Sequence, residues 1–111
     1  MSRRSEYWVR WDQHRAALGT AFPAAFPPDG QPRPALTIGV HRLLEESGVV
    51  PRHEVRLFLR EWVRRPQYLR AVAAGGHRVV LNGSPAEPIT PEQVELAQTL
   101  LARRARKGAA A

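Results

Sequence analysis

Five of the ten prolines lie between Pro23 and Pro34, in the stretch FPAAFPPDGQPRP, and no other feature constrains the fold as strongly. Proline has no amide hydrogen to donate, so this stretch cannot form a regular helix or a central strand. Phe22 and Phe26 are expected to anchor it on the core, which favours an ordered, turn-rich connector over a flexible linker. The connector therefore separates an N-terminal segment from the rest of the chain.

Helical periodicity appears on both sides of this connector. Apolar residues at three- and four-residue spacing predict a helix over residues 5–19. The stretch LTIGVHRLLEESG begins extended and becomes a short helix, which is expected to stop at Gly48. The pattern is strongest in PRHEVRLFLREWVRR, where one apolar stripe runs along a predicted helix; its members are Val55, Phe58, Leu59 and Trp62.

The C-terminal half alternates between helices and a short β element. Pro66 is expected to break the strong helix, and residues 67–73 follow as a short helix or turn. HRVVLNGSPAEPIT predicts a β-hairpin, because Asn82-Gly83 suits a two-residue turn in which both residues have positive φ. The last helix begins after Thr90, which can form a Thr-x-x-Gln capping box with Gln93. The predicted fold class is α+β and mainly helical, with about five helices and a small β-hairpin or sheet.

Composition limits the classes of protein that the chain can belong to. Its 111 residues suffice for one domain. No apolar run approaches the roughly 18 residues of a membrane helix, and no apolar segment follows the basic N-terminus as in a secretory signal. The chain has no cysteine, which excludes disulfides and thiolate metal sites. These features predict a cytoplasmic protein that does not contact a membrane through a spanning helix.

Charge is the most informative part of the composition. Seventeen basic residues stand against ten acidic ones, giving a net charge of +7, and only Lys107 among the basic residues is not arginine. Such an excess in one small domain indicates a polyanionic partner, most often nucleic acid. An acidic protein and a membrane surface remain open as alternatives.

Four arginines recur every fourth residue in the strong helix, and we call them the arginine ladder: Arg52, Arg56, Arg60 and Arg64. A spacing of four advances 400°, so the four side chains span about 120° of one face, away from the apolar stripe. Glu54 and Glu61 are expected to lie too far round to neutralise them. Like charges four apart repel, and arginine grips phosphate with two donors, so the ladder predicts a phosphate-binding face. A merely solvated face is the alternative.

Several quoted stretches, taken in order, resemble the ProQ/FinO domain of bacterial RNA chaperones: FPAAFPPDGQPRPALTIGV, RHEVRLFLREW, QYLRAV, HRVVLNGSP and TPEQVELAQTLLARR. The resemblance implies a domain over residues 20–106, a helix over 1–19 that is part of it or appended to it, and a flexible tail over 107–111. It also implies binding to small regulatory RNAs and messenger 3′ ends, through the base of a terminator-type hairpin and its single-stranded 3′ tail. The chain looks like a minimal, stand-alone member that acts in post-transcriptional regulation.

The resemblance assigns RNA-binding roles to particular residues. Tyr68 corresponds to the family tyrosine that lines the 3′-end pocket. Arg78 corresponds to the family arginine on a strand of the protein's β-hairpin. The basic positions of the family's third helix correspond to Arg52, Arg56 and Arg60. Further candidate RNA contacts are Arg64, Arg65, Arg70, His77 and Thr37. Thr37 replaces a family lysine and Pro51 replaces a capping serine, so one phosphate contact and one cap are expected to be missing.

Two other functions compete with RNA binding. A regulator that binds double-stranded DNA would use the ladder as its recognition helix, but the ladder lacks the Asn, Gln or Ser side chains that distinguish bases. A basic protein-interaction adaptor would dock an acidic partner. An enzyme is not expected, because the four histidines show no metal-ligand spacing and no nucleophile has a partner base. The sequence therefore predicts a monomer that binds structured RNA, without metal, cofactor or small-molecule substrate.

Overall fold

The computed structural model describes residues 3–110. Its five helices are α1 (Arg3–Ala21), α2 (Val40–Ser47), α3 (Arg52–Arg64), α4 (Pro66–Ala73) and α5 (Pro91–Ala110). Strands β1 (His77–Val79) and β2 (Pro85–Pro88) form a two-stranded antiparallel sheet. The predicted fold class, mainly helical α+β with five helices and a small sheet, is confirmed.

The predicted domain limits fall inside continuous elements. Helix α1 runs past residue 19 to Ala21, and α5 continues through residues 107–110, of which residues 107–109 are exposed. Residues 1 and 2 of the predicted N-terminal helix, and residue 111 of the predicted tail, lie outside the described residues. The division at residues 20 and 106 stays a prediction.

The proline-rich connector between α1 and α2 is ordered. Phe26 is fully buried and packs edge-on against Trp62, with ring centroids 5.0 Å apart. Arg15 of α1 donates hydrogen bonds to the backbone carbonyls of Phe26, at 3.3 Å, and of Pro27. The prolines prevent this segment from pairing its carbonyls in a helix or sheet, so the hydrogen bonds from Arg15 satisfy two of them. These bonds and the packing of Phe26 hold the connector on a single path over the core.

The core is centred on the apolar stripe of α3. Phe58 and Trp62 are buried, and Trp11 of α1 stacks on Phe58 with centroids 4.8 Å apart. The Trp11 indole also donates to the Phe58 carbonyl at 3.3 Å. Truncating one of these aromatic side chains to alanine typically costs about 3–5 kcal/mol, so the stripe fixes which face of α3 is left for solvent.

Helix ends follow the predicted signals. Gly48 ends α2 with φ 71°, in the left-handed region that favours glycine. Pro66 is the first residue of α4. The capping box of α5 is formed as expected: the Thr90 amide donates to Gln93 Oε1 at 3.0 Å, and the Gln93 amide donates to Thr90 Oγ1 at 3.2 Å.

The hairpin turn differs from the prediction. Only glycines among the described residues have positive φ, so Gly83 adopts φ 88° but Asn82 does not, and the predicted two-residue turn is wrong. Gly83 donates to the Val80 carbonyl at 2.9 Å and Val80 donates to the Ser84 carbonyl at 3.0 Å, which closes a three-residue loop. Such loops pair a type I turn with one left-handed residue, so a single glycine suffices.

Strand β1 has neighbours on both sides. It pairs with β2 through His77 and Pro88, and through Val79 and Pro85. On its other side, Val79 donates to the Ala35 carbonyl and accepts from the Thr37 amide, both at 2.9 Å. Residues 35–37 therefore lie beside β1 in an extended conformation, which positions Leu36 next to Arg78.

Candidate nucleic-acid interface

All four side chains of the arginine ladder are exposed on α3, opposite the buried stripe. The Arg52 and Arg64 side chains are 76% and 64% exposed. Pro51 stands at the N-cap and makes no side-chain hydrogen bond to the first turn, as the sequence indicated. The helix thus presents a row of guanidinium groups that begins in its first turn, where the helix dipole also favours an anion.

Carboxylates reach the two ends of the ladder but not its middle. Glu45 of α2 lies 3.4 Å from Arg52, and Glu61 lies 4.0 Å from Arg64, so the expectation that Glu61 is too far round to neutralise the ladder was wrong for Arg64. A side chain three residues before an arginine can lean towards it across one helical turn. Arg56 and Arg60 have no ion pair within residues 3–110.

Glu54, the other carboxylate of α3 considered from the sequence, turns away from the ladder. It pairs with Arg10 Nε at 3.3 Å and with His14, both on α1. The His14 hydrogen bond is the largest influence that lowers the Glu54 pKa below its ordinary value, and the charges of Arg10 and His53 act in the same direction. Glu54 therefore joins α1 to α3 and leaves the ladder's charge intact.

Tyr68 and Arg78 meet at the backbone of one residue, Leu36. The Leu36 amide donates to the Tyr68 hydroxyl at 3.0 Å, and Arg78 Nη1 donates to the Leu36 carbonyl at 3.0 Å. Only 7% of Tyr68 and 9% of Arg78 is exposed. The structure thus brings together the two residues that the resemblance assigns to the 3′-end pocket, and it holds both largely inside the protein.

A carboxylate that the sequence did not single out lies at the same place. Glu87 of β2 accepts from Thr37 Oγ1 at 2.5 Å and from the Ile38 amide at 3.0 Å. The Thr37 hydroxyl is the main cause that lowers the Glu87 pKa, followed by the Ile38 amide, and the positive charge of Arg78 adds to it. We call the group the Leu36 cluster; it consists of Leu36, Thr37, Tyr68, Arg78 and Glu87.

Helix α2 connects the Leu36 cluster to the ladder. The chain leaves the cluster at Ile38, turns at Gly39 with φ 88°, and enters α2 directly. Side chains of α2, among them His41 and Arg42, border a surface groove together with Arg52 and Arg56. Helix α2 therefore runs from the Leu36 cluster along the groove that the first half of the ladder borders.

The remaining candidate contacts do not join this site. Arg65 stacks over the Trp11 ring, with its guanidinium carbon 4.7 Å from the centroid. Arg70 and His77 line a separate groove between α4 and the end of the proline-rich connector. The sequence offered no signal for this separation, because it depends on which side of β1 and α4 each side chain occupies.

Residues 3–110 contain neither a cluster of metal ligands nor a membrane-spanning helix. No group of three or more His, Asp or Glu side chains in this part of the chain could hold a metal ion. No helix there is both long and apolar enough to cross a membrane.

Comparison with known proteins identifies the class. A model of the ProQ/FINO family matches residues 12–111, so the chain belongs to this family, as the sequence resemblance predicted. It is 33% identical over 90 residues to the RNA chaperone ProQ of Shewanella oneidensis and 36% identical over 90 residues to that of Aeromonas salmonicida. Each match covers 78% of this chain and 42% of the relative. The chain therefore spans about two fifths of the length of these curated relatives.

Two solved structures share the fold. One is the crystal structure of a FinO-like RNA chaperone from Neisseria meningitidis, with a TM-score of 0.66 and 21% identity, covering 90% of this chain and 84% of that one. The other is the NMR solution structure of a ProQ homologue from Legionella pneumophila, with a TM-score of 0.65 and 27% identity, covering 83% and 80%. The arrangement of helices around a small hairpin is thus the one found in this family.

Proposed function

We propose that this protein is an RNA-binding protein of the RNA chaperone type, and that it recognises the base of a terminator-type hairpin and the single-stranded 3′ end that follows. The observation that carries the proposal is the position of the unpaired arginines Arg56 and Arg60 on a face that α2 connects to the Leu36 cluster. Small regulatory RNAs and messenger 3′ ends in the cytoplasm are the proposed partners, bound by a monomer without enzymatic activity. The relatives named RNA chaperone ProQ support this class of ligand.

The ladder would follow the phosphates at the base of the hairpin. An A-form helix has a major groove too deep and narrow for side chains to read, so proteins recognise it through its backbone and shape. Arginine suits this task because its planar fork donates two hydrogen bonds to one phosphate. Binding should therefore depend on a duplex next to a tail and vary little with the duplex sequence.

The Leu36 cluster would hold the 3′ terminus. Arg78 is 9% exposed, and among the described residues its guanidinium donates only from Nη1, to the Leu36 carbonyl, so it has further donors besides that one. Tyr68 is too buried to offer its ring face for stacking, so its main contribution is to fix Leu36. In this proposal Arg78 binds the terminal phosphodiester and Tyr68 borders the last nucleotide.

Gel-shift titrations with three hairpin RNAs test the proposal. One RNA carries a short U-rich 3′ tail, the second has no tail, and the third has the same tail with a 3′-phosphate. We expect the first to bind at least about tenfold more tightly than the others, because a hydrogen bond to a charged group such as the terminal phosphodiester contributes about 1.5–3 kcal/mol. Equal affinities would contradict end recognition, and equal competition by duplex DNA at matched salt would favour a DNA-binding regulator instead.

Variants locate the site on the protein. Arg60→Ala and Arg78→Ala should each weaken binding of the tailed hairpin, whereas Arg106→Ala, which removes an exposed arginine near the end of α5, should change it less. Arg60 is exposed, so its replacement should leave the fold intact, while Arg78→Ala requires a circular dichroism melting curve to confirm folding. An Arg106→Ala effect equal to that of Arg60→Ala would mean that the ladder has no special role.

A further inference from the structure

A second concave surface lies outside the ladder and the Leu36 cluster. It is a groove of about 650 Å³ between residues 30–35 of the connector and α4. Proline, alanine and glycine residues form most of its wall, and five polar side chains also line it: Gln31, Arg33, Gln67, Arg70 and His77. We call it the connector groove. Its volume lies within the range of about 300–1,000 Å³ that is typical of sites for small ligands.

The charge of this groove is entirely of one sign. None of the described residues that line it carries a carboxylate. Gln67, Arg70 and His77 are exposed, so their donors are available to a ligand without any rearrangement. Apolar wall and cationic rim together suit a ligand that has a flat apolar face and a negative charge.

Arg33 gives the groove a buried positive charge. Its guanidinium lies 3.6 Å from the Trp62 ring centroid, and the residue is only 9% exposed. Its Nη1 has no hydrogen-bond partner within residues 3–110. Burial, and then the nearby charges of Arg15 and Arg65, lower the Arg33 pKa. The one carboxylate within reach is Asp29, which lies 3.9 Å away with a side chain 92% exposed, so it neutralises this charge weakly.

The connector groove and the Leu36 cluster lie on opposite sides of the same backbone. Successive side chains of a strand point to opposite faces, so His77 lines the groove while Arg78 is buried against Leu36. Ala35 lines the groove in the same way, one residue before Leu36. A ligand in the groove therefore need not displace an RNA end at the cluster.

We propose that the connector groove is a second RNA site, which binds one or two unpaired nucleotides of a strand while the ladder and the Leu36 cluster hold a hairpin. The proposal rests on the proposed function. The apolar wall would contact a base face, and Arg70, Gln67 and His77 would bind the adjoining phosphate. The volume of the groove suits one or two nucleotides and is too small for an A-form duplex. One protein molecule could then hold two RNA strands close together.

The test measures a ternary complex. The protein is saturated with the tailed hairpin, and a fluorescent, unstructured heptauridine is titrated in while anisotropy is followed. The native protein should bind the heptauridine in the presence of hairpin. Ala74→Trp fills the groove without changing its charge, and Arg70→Ala removes one exposed cation; each should weaken heptauridine binding about tenfold. Ala74→Trp should leave the affinity for the hairpin alone within about twofold.

The outcomes separate this proposal from the proposed function. Absence of heptauridine binding to the hairpin-loaded protein, or unchanged binding by both variants, would overturn the second site while hairpin binding stands. If the hairpin itself fails to bind, the proposed function fails, and heptauridine titration of the free protein and both variants still tests the groove. Displacement of heptauridine by an equal concentration of free uridine monophosphate would show that the groove takes free nucleotides and not an RNA strand. Arg70→Ala keeps the test valid if Ala74→Trp does not fold, since Arg70 is exposed.

Discussion

Leu36 is held by both of its backbone polar groups, and this determines what Tyr68 and Arg78 can do. Its amide donates to Tyr68 and its carbonyl accepts from Arg78, each at 3.0 Å. Buried backbone groups without partners are costly, so the two side chains fix the extended segment before they meet any ligand. Their role in positioning Leu36 is therefore separable from any direct contact with RNA.

Tyr68→Phe removes the hydroxyl and keeps the ring, so it measures the contribution of the hydroxyl alone. The Leu36 amide loses its acceptor in a buried position, so the free energy of unfolding should fall by about 1–3 kcal/mol. Urea denaturation at pH 7 measures this change. Tyr7→Phe is the control, because the Tyr7 ring contacts Trp8 but its hydroxyl makes no hydrogen bond within residues 3–110. An equal fall in the free energy of unfolding of the two variants would show that the Tyr68 hydroxyl has no special role in stability.

The Glu87 carboxylate lies in the Leu36 cluster, where the proposed RNA 3′ end would bring the negative charge of its terminal phosphodiester. Glu87→Gln keeps an acceptor for the Ile38 amide, and its amide nitrogen can donate to the Thr37 hydroxyl, which donates to the carboxylate in the native protein. The substitution removes the charge beside Arg78. Affinity for the tailed hairpin should therefore rise by about two- to fivefold, as expected for one partly screened charge near a phosphate. Glu95→Gln, on the exposed face of α5, makes the same charge change elsewhere and should have less effect. Weaker binding by Glu87→Gln would mean that its carboxylate mainly orders the cluster.

Helices α1 and α3 are joined by aromatic packing and by one charged cluster. Trp11 stacks on Phe58, and next to it Glu54 of α3 pairs with Arg10 and His14 of α1. The Glu54 side chain is 16% exposed, so its interactions are only partly screened by solvent. The charged cluster thus fixes how α1 lies on α3, while the ladder on the other side of α3 stays free.

The Glu54 cluster should make stability depend on pH. The Glu54 pKa is lowered in the folded state, mainly by the His14 hydrogen bond. Its stabilising effect is therefore present above its unfolded-state pKa of about 4.3 and is lost as pH falls through the lower folded-state pKa. Glu54→Gln should lower the free energy of unfolding by about 1 kcal/mol at pH 7 and by much less near pH 3. Urea denaturation of both proteins at both pH values measures the loss of unfolding free energy. A loss of equal size at the two pH values would show that the Glu54 charge does not cause it.

Local patterns predicted the elements better than they predicted the contacts between them. The capping box at Thr90, the stop at Gly48 and the break after α3 at Pro66 follow from residue types a few positions apart, and the sequence placed them correctly. The Asn82-Gly83 turn was wrong because one glycine in a three-residue loop can replace two positive-φ residues. Glu87 escaped notice because its partners are about fifty residues away in the sequence.

At the scale of the whole molecule, the excess charge is distributed over distinct surfaces. The ladder occupies the exposed face of α3, the connector groove collects Arg33, Arg70 and His77, and the last turns of α5 carry further exposed cations. The sequence predicted the ladder from its spacing, but the groove brings together residues from positions 30–35 and 67–77 that share no pattern. Net charge alone therefore predicted a polyanionic ligand without locating the surfaces that would bind it.

Salt dependence distinguishes these surfaces, because each phosphate contact releases condensed counterions. The logarithm of the association constant should fall linearly with the logarithm of salt concentration, with a slope of about −0.9 per contact on duplex and about −0.7 on single strands. The double variant Arg56→Ala/Arg60→Ala removes the two unpaired ladder arginines and should reduce the slope for the tailed hairpin by about two. Titrations between about 50 and 200 mM salt measure it. Arg103→Ala/Arg106→Ala removes the same charge from the exposed end of α5 and should leave the slope nearly unchanged. Equal slopes for the two double variants would show that the protein attracts RNA through its net charge and not through the face of α3.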